Sequence, residues 1–521
     1  MYSGSNRKMS RGVLAAVFVV AAVVTALTAA GPIHAHGFGQ RYDLPVPLSY
    51  FLGGAAAAVA FSFVIVGIVI QGGGAGAGHR TFDLTARRWF RLTLGSHVAL
   101  WLVKLASIFV FGLIIATAFW GSEKPLDNLS PTFIWIIWWV GMGFVSATIG
   151  NVWALINPWK IVFEAFEGLL GGREGFTPMQ RYPISWSAWP AVVLFGVFAW
   201  LENVYGGASL PSNIGTIIIV FSVIQWAGMF YFGKNAWLRH GDPLAVLFGL
   251  FARFSVTEAR VHGRALCRRC ELDCAPDGSK NADEGEDCAE CYACFERAES
   301  AERYVLLRPP AAGLIRPERV STALMVFVIM ALSAVTFDGL KETPWWNTVH
   351  RNLESLGTSW VNTIGLFGIP LLFLAIYLAF AWAMRRLSSN AMSTGDMARA
   401  FVLSLIPIAL AYHFAHFLAL LLIQGQAVVP LISDPFGRGW DLFSTADYAI
   451  DIGVINARSA WFFSIAVIVV GHVAAVFIAH VVSLRKISDH AAAMRSQYPM
   501  LILMVFYTVV SLWIISQPIV E

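Results

Sequence analysis

Long apolar runs recur along almost the whole chain and constrain its fold more than any other feature. A helix needs about 20 consecutive apolar residues to cross a bilayer. Hydrophobic residues make up 57% of the 521-residue sequence and charged residues only 13%, whereas a soluble domain carries about 25% charged residues. The sequence therefore predicts an all-α fold, a polytopic transmembrane helical bundle that lies in a lipid bilayer.

Ten runs are predicted to span the membrane, after a cleavable signal peptide over residues 1–35. Arg7, Lys8 and Arg11 precede an apolar stretch, and residues 33–35 offer a cleavage site with a small last residue. An uncleaved first helix is the alternative. The predicted spans are 48–71, 93–119, 131–155, 186–205, 212–233, 320–338, 358–383, 399–424, 459–483 and 497–516. Short stretches at 160–171 and 241–254 are interpreted as amphipathic helices along the inner surface.

The basic residues of the loops predict the orientation. Arginines and lysines are concentrated in alternate loops, while the intervening loop 425–458 is acidic, a pattern typical of cytoplasmic and external loops respectively. We expect a multi-pass protein of the bacterial inner membrane with a periplasmic mature N-terminus. The domains are an N-terminal membrane half (36–254), a cytoplasmic cysteine-rich loop (255–310) and a C-terminal membrane half (311–521). The net charge of +4 is spread over short loops and does not indicate nucleic-acid binding.

All the cysteines lie in the predicted cytoplasmic loop. Thiols stay reduced in the cytoplasm, so the loop is predicted to bind metal rather than to form disulfides. Two C-x2-C pairs can supply the four thiolates of a structural zinc site. The run from Cys288 to Cys294 has ferredoxin-like spacing but lacks a following proline, so an iron–sulfur cluster is the alternative. The candidate ligands are Cys267, Cys270, Cys274, Cys288, Cys291 and Cys294.

Histidines inside the predicted spans form a second candidate site. His413 and His416 are three residues apart, on one helix face, and His472 lies at similar depth in the next span. Three imidazoles from neighbouring helices can hold a divalent metal and leave one position open. Alternatively, each imidazole hydrogen-bonds a backbone carbonyl and ties helices together.

A further metal site is predicted at the mature N-terminus. Cleavage after Ala35 would leave His36 with both a free amine and an imidazole. Two nitrogens of this kind suit copper, and His350 is a candidate second ligand. The alternative is a plain exposed terminus.

Other polar residues in or beside the spans are interpreted as structural. Lys104 and Asn151 are expected to be paired internally. Glu202 and Asn203 close the fourth predicted span and Asp338 closes the sixth. Charges at such positions are more often interfacial than catalytic.

Seven short motifs resemble a family of bacterial polytopic membrane proteins known as fenitrothion hydrolase. They run from one end of the chain to the other, so the resemblance covers nearly all of it. The chain departs from the family pattern at 255–305, where relatives often have a shorter loop without cysteines, so the cysteine loop is interpreted as an accessory. The motifs are HGFGQRYDLPVPL (36–48), GNVWALINPW (150–159), LRPP (307–310), FDGL (337–340), QGQ (424–426), SDP (433–435) and GHVA (471–474).

The resemblance implies metal-dependent hydrolysis of a lipophilic organophosphorus triester. In that hypothesis the membrane histidines bind a metal that activates water, and Asp434 or Asp441 is the general base. Two alternatives stay open. One is an iron–sulfur electron-transfer subunit, which would need a partner subunit. The other is a transport or metal-handling protein whose buried histidines and acidic outer loop form an ion path.

Overall fold

The computed structural model describes residues 42–70, 81–170, 177–261, 288–316 and 319–518. The predicted signal peptide and His36 lie outside these residues, as do Cys267, Cys270 and Cys274. The structure is 73% helical with almost no strand, so the all-α membrane bundle is confirmed at that level. The helices are α1 (Leu48–Val69), α2 (Arg88–Leu94), α3 (His97–Trp120), α4 (Leu129–Thr148), α5 (Trp153–Ile156), α6 (Pro158–Leu170), α7 (Trp189–Asn203), α8 (Pro211–Phe232), α9 (Lys234–His240), α10 (Pro243–Ala252), α11 (Tyr292–Arg297), α12 (Thr322–Lys341), α13 (Pro344–Asn352), α14 (Thr358–Leu387), α15 (Thr394–Phe401), α16 (Ile406–Ile423), α17 (Val428–Ser433), α18 (Ala457–Lys486) and α19 (His490–Ser516).

Within the described residues, nine segments are long and apolar enough to cross a membrane. They are α1, α3, α4, α8, α12, α14, the continuous segment α15–α17, α18 and α19. The remaining predicted span, 186–205, the fourth along the chain, is only the 15-residue helix α7. At a rise of about 1.5 Å per residue it extends for about 22 Å, less than the hydrocarbon thickness of about 30 Å. The ten-span prediction is therefore correct for nine runs, and the remaining run forms a shorter apolar helix.

The location of helix α10 differs from a second prediction. The stretch 241–254 was expected to lie on the inner surface, yet Leu244, Leu247, Phe248 and Phe251 of α10 are all buried in the main core. Asp242 immediately precedes the helix, and its carboxylate accepts hydrogen bonds from the backbone of residues 244 and 245. This N-cap satisfies two of the unpaired amides at the start of the helix. The apolar residues therefore pack inside the bundle rather than on a membrane surface.

A small antiparallel sheet, which the sequence pattern does not predict, lies at one end of the bundle. Its strands are β1 (Phe82–Asp83), β2 (Thr257–Val261), β3 (Cys288–Ala289) and β4 (Arg303–Leu307), in the order β1-β4-β2-β3. Ala259 of β2 is opposite Val305 of β4. The strands thus bring the two ends of the cysteine-rich loop together.

The helix α3 connects the two ends of the molecule. Near its start, Arg303 of β4 donates to the carbonyl oxygen of Gly95 at 3.2 Å. Just after its end, the amide of Ser122 donates to the carbonyl of Phe436 in the loop 434–456 at 2.8 Å. We call these the sheet end and the loop end.

The C-terminal helices pack closely because of one small residue. A Cβ at Gly471 of α18 would lie 2.7 Å from the carbonyl oxygen of Pro407 in α16. Only glycine allows this approach without a shift of backbone. The contact fixes α16, and with it His413 and His416, against α18.

Candidate functional site

The three membrane histidines occupy separate environments. His413 Nε2 lies 3.3 Å from the carbonyl oxygen of Val140, and His416 Nε2 lies 2.8 Å from Asp338 Oδ2. His472 Nδ1 lies 2.8 Å from the carbonyl oxygen of Ile468, one turn earlier in its own helix. The structure does not bring the three imidazoles together. Among the described residues, no group of three or more histidine, cysteine or acidic side chains is arranged to hold a metal ion.

His480 fits the structural alternative for membrane histidines. Its Nδ1 lies 2.8 Å from Gln497 Oε1 in α19, and its Nε2 lies 2.8 Å from the carbonyl oxygen of Ile70, just after α1. One imidazole therefore connects three helices through two hydrogen bonds.

The position of His413 depends on an irregular part of α4. Residues Phe133–Val140 of α4 form a π-helix. In a π-helix each backbone amide bonds the carbonyl five residues earlier, rather than four as in an α-helix. Val140, at the end of this segment, presents its carbonyl to His413. A Cβ at Gly143, three residues later, would lie 2.9 Å from His413 Cε1. The widened turn and the missing side chain together make room for the ring, which also packs edge-on against Phe417 with 4.9 Å between centroids.

Charged and polar side chains from three helices meet near the loop end. We call them the Asp338 cluster, which consists of Asp338, Lys341, His416, Glu202 and Asn203. Lys341 Nζ lies 2.7 Å from Asp338 Oδ1, and His416 Nε2 lies 2.8 Å from Asp338 Oδ2. Lys341 Nζ also donates to Asn203 Oδ1 at 3.0 Å. Asp338 and Lys341 are one turn apart at the end of α12, which places both on the same face.

Glu202 is held beside this cluster by an aromatic donor. Trp139 Nε1 of α4 donates to Glu202 Oε1 at 2.5 Å. The amide of Asn203 lies 3.4 Å from the other carboxylate oxygen. The tryptophan ring packs against Phe198 of α7 with 4.5 Å between centroids. Apolar packing thus fixes the orientation of a carboxylate within the bundle.

A small cavity joins the Asp338 cluster to His413. Its volume is about 30 Å³, which is room for a water molecule. Glu202, Asp338 and His413 line it, together with apolar residues that include Trp139 and Phe248. A water there would have the several polar partners that buried waters require.

Their positions at the ends of apolar runs predict Glu202, Asn203 and Asp338 to be separate interfacial residues. The structure instead places them in one hydrogen-bonded group with Lys341 and His416. A signal was present in the sequence, because 202, 338 and 341 all lie at the ends of apolar runs that reach the same predicted side of the membrane. Sequence spacing alone could not show that these ends are adjacent.

The two proposed general bases stabilise the loop 434–456. Asp434 accepts backbone hydrogen bonds from Arg438 at 2.9 Å and Gly439 at 2.5 Å. Asp441 accepts from the Ser433 hydroxyl at 3.0 Å and from the backbone of residues 445 and 446. The Ser433 hydroxyl and these amides hold the pKa of Asp441 below its usual range. A general base works best with a pKa near the working pH, so this geometry disfavours that role for Asp441.

The cysteine site lies partly outside the described residues. Cys291 and Cys294 are buried in a small apolar cluster with Ala259, Val261 and Phe295, and Cys288 begins β3. Cys267, Cys270 and Cys274 lie outside the described residues, as does His36. The zinc site, its iron–sulfur alternative and the copper site at His36 therefore stay predictions.

The proposed partner of His36 has a structural role. His350 Nε2 lies 2.8 Å from Asn362 Oδ1 of α14, and Trp346 Nε1 donates to the same oxygen at 3.0 Å. These contacts join α13 to α14.

Comparison of the chain with protein-family models, with curated proteins and with solved structures finds no match in any of the three.

Proposed function

We propose that this chain is a membrane transport protein in which the Asp338 cluster takes up and releases protons. One observation carries the proposal. Asp338 contacts both His416 and Lys341 and shares a cavity with Glu202 and His413, all within apolar helices. Ionisable residues inside membrane helices are costly and typically mark ion or proton pathways.

The charge balance of the cluster favours one exchangeable proton. With His416 neutral, the carboxylates of Glu202 and Asp338 exceed the single ammonium of Lys341 by one negative charge. A buried unpaired charge is strongly unfavourable. One proton, on His416 or on Glu202, makes the cluster neutral. The cluster therefore alternates between two charge states that differ by one proton.

His413 is the next proton acceptor from the Asp338 cluster toward the middle of the bundle. A water in the cavity beside Asp338 and Glu202 would contact His413, because all three side chains line it. An imidazole can accept a proton on one nitrogen and donate from the other. With the orientation that the basic loops predict, protons would enter from the outside, at the loop end.

Proton flux in liposomes tests this proposal. The purified protein would be reconstituted with a pH-sensitive dye inside, and a potassium diffusion potential would drive proton uptake. We expect Asp338→Asn to reduce flux by about a hundredfold, the scale of losing one positioned proton-transfer group. The matched control is Asp447→Asn, an exposed aspartate of the outer loop, which should change flux little.

A second variant separates function from folding. Asp338→Asn leaves Lys341 without its carboxylate, so a loss of flux could reflect misfolding. Glu202→Gln imitates the protonated carboxyl and keeps an acceptor for Trp139, so we expect it to fold and still to lose flux. Wild-type liposomes no more permeable to protons than empty ones would refute the proposal, as would normal flux in both variants.

Hydrolysis of organophosphorus triesters, implied by the family resemblance, stays a prediction. So do electron transfer through an iron–sulfur cluster and the location in a bacterial inner membrane. Release of nitrophenol by purified wild-type protein, lost in Asp434→Asn, would favour the hydrolase over the transport proposal.

A further inference from the structure

We propose that a charged pocket at the sheet end binds the phosphodiester headgroup of an anionic glycerophospholipid. This site is separate from the Asp338 cluster and does not depend on the proposed transport function. The pocket has a volume of about 390 Å³ and lies between α3, α6, the start of α9 and α11. Its polar lining residues are His97, Lys104, Lys160, Glu164, Glu167, Lys234, Asn235, Glu296 and Arg297.

The lysines of this pocket are held in place by carboxylates. Lys104 Nζ lies 2.9 Å from Glu164 and 2.8 Å from Glu296. Lys160 also contacts Glu296. Lys234 Nζ lies 2.7 Å from Glu167 on α6. The ammonium groups are therefore positioned before any ligand arrives, which lowers the entropy cost of binding.

Glu164 of the pocket remains ionised. Burial by itself would raise the pKa of Glu164, but the charges of Lys160, Lys234 and Lys104 lower it below its usual range. The hydrogen bonds from Lys104 to Glu296 and Glu164, and the charges of these two carboxylates, favour its charged ammonium form. The pocket is thus lined by fixed charges of both signs rather than by neutral groups.

Each lysine keeps capacity for a further acceptor. An ammonium group has three N–H donors. Among the described residues, Lys104 Nζ makes two hydrogen bonds and Lys160 Nζ makes two. Lys234 Nζ makes one, to Glu167, and also lies 3.3 Å from Glu164. At least one donor of each lysine is therefore left for a ligand. All three lysines line the same pocket, and charged N–H donors suit the oxygens of a phosphate group.

The net charge of the pocket selects a singly charged anion. Its lining has four cationic side chains and three carboxylates, counting His97 as neutral. The excess of one positive charge is balanced by a phosphodiester, which carries one negative charge. A zwitterionic headgroup has no net charge and would leave the excess unbalanced.

The surroundings of the pocket favour a lipid over a soluble phosphate ester. Trp101 lines the pocket and is 71% exposed, and the neighbouring Leu102 and Leu105 are also exposed on α3. Only 6% of the apolar window of α3 is buried inside the protein, so this face is available to acyl chains. Tryptophan is enriched at the headgroup level, and basic pockets between membrane helices bind anionic lipid headgroups.

Native mass spectrometry of the detergent-purified full chain tests the proposal. Dioleoyl phosphatidylglycerol, dioleoyl phosphatidylethanolamine and sn-glycerol 3-phosphate would be titrated separately. We expect phosphatidylglycerol to bind most tightly. Equal binding of the two lipids would overturn the proposal. Glycerol 3-phosphate that binds as tightly as the lipid would show a soluble phosphate ester as the ligand and overturn the lipid assignment.

Lysine variants locate the site. A basic residue near a membrane surface contributes about 1 kcal/mol to the attraction of anionic lipid, so we expect Lys234→Gln to weaken phosphatidylglycerol binding about fivefold. Lys234→Arg should retain it. The matched control is Lys124→Gln, because the Lys124 side chain is 82% exposed at the loop end. Equal effects of K234Q and K124Q would overturn the assignment. The wild-type lipid preference is measured independently, even where a variant fails to fold.

Discussion

Replacing Arg308 by methionine should loosen the sheet end of the molecule. The Arg308 guanidinium is fully buried and contacts Glu258 at 3.2 Å and Glu290 at 3.0 Å. It also donates to the carbonyl oxygens of Ala252 at 2.9 Å and Ser255 at 3.2 Å. One side chain therefore connects the end of α10, β2 and the returning cysteine loop. Methionine keeps most of the apolar stem and removes the charge and the donors.

The expected free-energy cost of Arg308→Met follows from the burial of its ion pairs. Removing one partner of a buried ion pair costs about 3–5 kcal/mol, because the other charge is left without compensation. Here Glu258 retains Arg260 and Arg316 as partners, which favours the lower end of that range. A cost of about 3 kcal/mol corresponds to about a 150-fold increase in the population of the opened sheet.

Amide hydrogen exchange by mass spectrometry measures this opening directly in β2 and β4. The matched control is Arg399→Met, which breaks an ion pair with Asp396 at 2.6 Å whose side chains are 35% and 57% exposed. Exposed pairs contribute about 0–1 kcal/mol, so its local effect should be small. If exchange in β2 and β4 of Arg308→Met rises less than about tenfold, Arg308 does not hold the sheet closed.

Three further predictions follow from burial, close packing and the cysteine spacing. Burial holds the pKa of His240 at about 4, below its usual value, so the unfolded chain binds the proton more readily between about pH 6.5 and 4. Stability should therefore fall through this window as the pH is lowered. His240→Phe should flatten that part of a plot of melting temperature against pH, and an unchanged slope would contradict this prediction. Gly471→Ala should lower the melting temperature, because overpacking costs about 1–3 kcal/mol. Gly53→Ala should not, because a Cβ there meets nothing within 4 Å. Equal effects of the two variants would contradict close packing at Gly471. Anaerobically purified protein should contain zinc and be colourless, and iron with acid-labile sulfide would contradict this.

The membrane spans were predictable because they are a local property of the sequence. Nine of the ten predicted runs form long apolar helices, since length and hydropathy alone decide whether a segment can cross lipid. The exceptions depend on neighbours. The stretch that forms α10 is too short to span the membrane, but it is apolar on all sides, and other helices cover it. The strands β1 and β3 have two residues each, too few for a periodic pattern.

The candidate site was predictable only in part. The sequence identified His413 and His416 as unusual, because an ionisable residue within an apolar run is visible without a structure. It did not identify their partners. His416 is paired with Asp338, 78 positions earlier, and Lys341 with Asn203, 138 positions earlier. Helix spacing predicts contacts within one helix, but not which ends of different helices meet.

Composition and spacing, which need no neighbours, are enough to identify this chain as a membrane protein with apolar helices and one concentrated group of cysteines. Only the packing of distant segments shows that the three membrane histidines form no metal-holding group among the described residues, and that Asp338, Lys341 and Glu202 lie together. It also decided that lysines of α3, α6 and α9 share one pocket. The physical reason is that a side chain's chemistry is set by the groups packed against it, and these come from distant parts of the chain.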